Sequence, residues 1–176
     1  MAVWLTFAGA ILVALIAAAT AEARLRKQLT HERQLADLAE LRAVLDSAAI
    51  AVWRIMEAYS NCTSTLQWLH NEGLTRDHAG PDGKPVDAHR QATYEALFRL
   101  DELVMRLAIR IGSDTSLVAA IHAFRERVIE AVEAAGNLDP TKDDPEVMLD
   151  EPRRALADAR DEVLSLALTF ARSDVP

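Results

Sequence analysis

The chain has 176 residues, a formal net charge of −8 and one cysteine, with 26% charged and 51% hydrophobic residues. That balance is globular rather than disordered. It argues against nucleic acid as a partner, because phosphate contacts need clustered Lys and Arg. A lone thiol, Cys62, excludes an intramolecular disulfide.

Ala2–Ala21, AVWLTFAGAILVALIAAATA, contains no charge, Pro or Asn. At a rise of ~1.5 Å per residue, about 20 apolar residues span a ~30 Å hydrocarbon core. Residues 1–21 are therefore expected to be a transmembrane anchor. Trp4 sits where an interfacial aromatic is favoured. The competing reading is a cleaved signal peptide, with Ala19-Thr20-Ala21 as a small-x-small site, although no basic residue precedes the apolar run. Arg24, Arg26, Lys27 and Arg33 follow the span and no Lys or Arg precedes it. The positive-inside rule then puts the N-terminus outside and residues 22–176 in the cytoplasm. These four cations are candidate contacts to anionic membrane lipid. Ala10, Ala14 and Ala18 form a small-xxx-small stripe that would let two anchors pack.

Nothing breaks a helix from Glu22 to about Glu72. Leu38, Leu41, Leu45, Ala48, Val52, Ile55, Tyr59, Cys62, Leu66 and Leu69 advance in alternate steps of three and four, a heptad seam. Before Leu38 the same register carries polar residues, so 22–37 reads as a basic helical stalk. Ile50, Trp53 and Met56 are expected to add a second buried edge, giving the width a bundle helix needs. Cys62 on the seam is expected to be a small buried thiol.

Gly73–Asp87 is a loop by its Gly, Pro and Asp-Gly content, and Asp87 is expected to cap a helix over 88–111. Gly112-Ser113-Asp114-Thr115 ends that helix and caps the next, with Ser or Asp as N-cap. Helix three, over 115–135, is expected to bury Leu117, Ile121, Phe124, Val128, Ala131 and Ala135. Leu138–Glu151 is acidic, but it has neither the Gly nor the spacing of a calcium loop. Its acids suit helix starts, with Asp144 before Pro145 and Glu151 before Pro152. A last helix over 152–171 turns Leu156, Ala159, Val163, Leu166 and Phe170 to one side.

The expected fold is all-α: one N-terminal transmembrane helix, then an up-down antiparallel four-helix bundle over 38–176, with helices over 38–72, 88–111, 115–135 and 152–171. Leu38 and Leu41 would extend the seam beyond the bundle, where a second copy could pair. No phosphate loop, paired-Cys zinc spacing, HExxH or G-x-S-x-G turn is present, so no catalytic, cofactor-binding or metal residue is assigned and no cofactor is implied. The expected function is a non-enzymatic, membrane-tethered adapter or scaffold acting by protein–protein contact, either with an unnamed partner or as a homodimer. One alternative is an extracytoplasmic helical sensor or envelope structural protein. Another is a metal-binding or catalytic bundle using His70, His78 and His89 with Asp77 or Asp87 of the first loop.

Overall fold

The computed structural model describes the backbone of residues 2–173 and the side chains of residues 24–171. Among the described residues the chain is helical without strands: α1 (Ala2–Glu72), α2 (Val86–Ile111), α3 (Ser116–Asn137), α4 (Pro145–Met148) and α5 (Asp150–Ser173). No helix among the described residues is long and apolar enough to cross a membrane. The side chains of the expected anchor Ala2–Ala21, with Ala10, Ala14 and Ala18, lie outside the described residues.

The chain divides into two compact units, Met1–Glu40 and Leu41–Pro176. In the first, the helix exposes Arg24, Arg26, Lys27 and Arg33 together with Leu25, Leu29 and Leu35. Leu38 is half-buried there.

The second unit is held by one core. Leu45, Ala48, Val52, Ile55, Tyr59, Cys62, Leu66 and Leu69 of α1 are all buried in it, as the heptad series requires. Leu41 is half-buried against the same core. The widening of that stripe falls elsewhere than expected. Val44 and Ala51 turn inward, whereas Ile50 and Trp53 are 54% and 63% exposed and Met56 is half-buried.

Gly73 stops α1. It takes a φ of 65°, its N–H donates to His70 O (3.1 Å) and the Leu74 N–H donates to Leu69 O (2.9 Å). These two bonds make a Schellman motif, closed by Leu74 packing on the core. Gly80 then lies so close to α1 that a Cβ would sit 2.6 Å from Thr65 Cγ2.

α2 begins before Asp87 rather than after it. Extended Pro85 (φ −73°, ψ 159°) precedes the helix without a side-chain cap, and fully buried Val86 anchors the first turn. Proline already holds the φ a helix start needs, so the entry shifts earlier. Asp87 lies inside the first turn, where it accepts from Arg76 (3.2 Å) and Arg90 (3.1 Å).

At the next helix start Thr115, not Ser113 or Asp114, is the cap, with its hydroxyl accepting from Val118 N at 3.5 Å. The Ser113 hydroxyl donates instead to Asp114 (3.0 Å). α3 packs along α5 more extensively than along α2. Its expected inward set is buried throughout, with Phe124 at 0% exposure. Asp144 caps α4 by accepting from Glu146 N (3.0 Å), with Pro145 following it. That single turn stands in what the composition reads as loop. Leu149, buried at 0%, pins it to the core.

Candidate functional site

Two grooves flank α1 within the second unit. The first, about 640 Å³, runs between α1 and α2 from Ser47 and Leu103 at one end to Asn61 and His89 at the other. Facing small residues make it, Ala51 and Ala58 on α1 and Ala92 and Ala96 on α2. Short side chains at facing positions leave a furrow that larger ones would fill. The second, about 590 Å³, lies between α1 and α5 and is lined by Trp53, Met56, Arg160 and Leu164 among others. Ile50 stands on the rim of the first groove and Trp53 on the second, while Glu57 and Asn61 line both. Both volumes fall in the range of ordinary binding pockets, ~300–1,000 Å³.

The charges on the first groove are open. Arg54, Glu57 and Arg99 make no hydrogen bond or ion pair among the described residues, and Glu95 accepts only from Gln91 (3.3 Å). His89, 4% exposed, closes one end. Its Nε2 lies 3.3 Å from Asp82 Oδ2, with geometry too poor for a hydrogen bond.

The end of the second unit that carries the two long loops is tied together internally. Arg76 NH1 donates to Gly136 O (2.7 Å) and Ala135 O (3.2 Å), satisfying carbonyls at the end of α3. His70 Nδ1 lies 2.8 Å from Pro140 O. Asp139 accepts from the Thr141 N–H (3.1 Å) and hydroxyl (2.7 Å) and from Lys142 (2.7 Å). Hydrogen bonds from Lys142 and then Thr141 pull its carboxyl down to about 2. Asp143 accepts from Asp139 N (2.9 Å). Asp139 and Asp143 therefore fold the loop.

The three histidines proposed for a metal have separate neighbours: His70 meets Pro140, His78 meets Thr75 and His89 meets Asp82. Among the described residues no group of three or more His, Cys, Asp or Glu side chains converges on a metal position. Cys62 is 1% exposed, and burial pushes its thiol up to about 11. Burial likewise raises Tyr59 to about 12, and its hydroxyl is buried with no hydrogen-bond partner among the described residues.

The grooves were not expected from the heptad series. Their signal is the run of small residues beside it, Ser47, Ala51 and Ala58 on α1 with Ala92 and Ala96 on α2. No protein-family model, no curated protein and no solved structure matches this chain.

Proposed function

We propose that the protein is a membrane-tethered helical adapter that acts by binding another protein through the outward edge of α1. Ala2–Ala21 is its single-pass anchor, Arg24, Arg26, Lys27 and Arg33 meet anionic lipid, and residues 22–176 are cytoplasmic. The second unit is an up-down four-helix bundle, in which α4 is one turn inserted before the last long helix.

One observation carries the proposal. Ile50 and Trp53 belong by spacing to an apolar edge beside the core seam, yet they stand exposed between two grooves. Exposed Trp beside Arg, next to concave apolar surface, is the composition of protein-binding hot spots. The acidic loop supports the same choice of surface, because Asp139, Asp143 and Asp144 are engaged within the loop.

The test is a photo-crosslinking residue at Trp53 in the full-length protein in its own membrane, with exposed Glu102 as the control position. The expected result is one discrete adduct from position 53, absent from 102 and abolished by Ile50→Asp. Equal labelling from both positions, or none from 53, would contradict the proposal. A reporter fused after Pro176 checks topology, and an extracytoplasmic signal would remove the cytoplasmic assignment.

A further inference from the structure

The groove between α1 and α2 is ordered by charge along its length. Gly80 rests on Thr65 and buried Val86 opens α2 shortly after it, so the chain folds back and α2 runs against α1. Both walls can then be followed from the Ser47 and Leu103 end. On α1 the order is Ser47, Arg54, Glu57, Asn61, and on α2 it is Leu103, Arg99, Glu95, His89. Each wall presents arginine first and glutamate second. The floor between them is alanine.

These charges are placed where they would ordinarily neutralise one another. Arg54 and Glu57 are three apart on one helix and Glu95 and Arg99 are four apart, spacings at which opposite charges pair. Neither pair forms. The two helix walls therefore hold two arginines and two glutamates facing outward above a shallow apolar floor, with Lys84 of the preceding loop also lining the groove. A surface of mixed charge favours an occupant of mixed charge.

We infer that this groove receives one amphipathic helix of a partner protein. That helix has small residues on its contact face and, three or four positions apart, an acidic residue over Arg54 and Arg99 and a basic residue over Glu57 and Glu95. The helical form follows from the groove. Its alanine floor admits a backbone at short interaxial distance, and its charge alternation matches the pitch of a helix. Buried His89 closes the end of the groove opposite Ser47 and Leu103. The inference rests on the adapter reading and names the chemistry of the partner.

The experiment pans a displayed library of alanine-based helical peptides, with randomised charged positions, against the full-length protein in detergent micelles. Enriched peptides are expected to carry one acidic and one basic residue three or four positions apart. A synthetic copy of the winner should protect the amides of 47–61 and 89–103 from hydrogen exchange. Arg54→Glu with Arg99→Glu reverses the charge of one end of the groove and leaves Lys84 as its remaining cation among Lys and Arg. It should weaken the winner about tenfold and shift preference to an all-basic peptide. Because all four charged residues are exposed, the variant should keep the parent's circular dichroism and melting temperature.

Absence of enrichment, or winners without mixed charge, would overturn the inference. So would a fatty acid retained in the groove by native mass spectrometry, or a dimer broken by the same double substitution. A peptide that binds this groove while Trp53 fails to crosslink separates the two proposals: the outward edge falls and the groove stands.

Discussion

Within Leu41–Pro176, α1 has two faces of similar apolarity and opposite fate. The face through Val52, Ile55, Tyr59, Cys62 and Leu66 is at most 3% exposed. The edge through Ile50 and Trp53 is more than half exposed. The inward face is covered because its neighbours present large side chains to it, Phe124, Leu100 and Leu156 among them. The outward edge borders two furrows instead, an alanine-lined one at Ile50 and a second at Trp53. Hydrophobicity alone does not decide burial; the size of what stands opposite decides it as well.

Substitutions should separate the two faces sharply. The largest effect is expected for Ile55→Ala, where a fully buried side chain leaves a cavity. It should cost about 3 kcal/mol by chemical denaturation, and a cost below about 1 kcal/mol would show that the inward face is loosely packed. Arg76→Ala comes next. It leaves the carbonyls of Ala135 and Gly136 without their donor and should cost about 2 kcal/mol, with hydrogen exchange accelerated at the end of α3.

Tyr59→Phe should act in the opposite direction. Removing a buried hydroxyl that has no partner is expected to stabilise by about 1 kcal/mol. The pH dependence has a definite sign. Burial raises the folded phenol from its ordinary 10.0 to about 12, so its contribution is complete below pH 10 and is lost as pH rises toward 12. The Phe variant should lack that alkaline loss, and a melting-temperature profile above pH 9 measures it. Trp53→Ala should change stability by no more than about 0.5 kcal/mol by chemical denaturation.

The sequence was most legible where one physical rule dominated. Every member of the alternately spaced series on α1 from Leu45 to Leu69 is buried, and Gly73 and Gly112 marked two helix ends. It was less legible where two rules competed. Asp87 looks like a cap, but Pro85 and buried Val86 start α2 earlier and leave the carboxylate to Arg76 and Arg90. Ile50 and Trp53 look like core because periodicity reports which side of a helix is apolar, not which neighbour covers it, whereas Met56 does pack against the core, half-buried. Val44 and Ala51, which do turn inward, carry a weaker hydrophobic signal than Trp53. The α4 turn was hidden because a single turn has no period to detect. The grooves depend on pairs of alanines brought together from α1 and α2, information that no local window contains.

The outward edge of α1 is the centre of this account, and the accessibility of one indole tests it most directly. In full-length protein carrying Trp4→Phe and Trp68→Phe, Trp53 is the remaining tryptophan. Acrylamide quenching of its fluorescence in detergent micelles should be efficient, with red-shifted emission typical of a water-exposed indole. A blue-shifted, poorly quenched Trp53 would place it in the core and contradict the account.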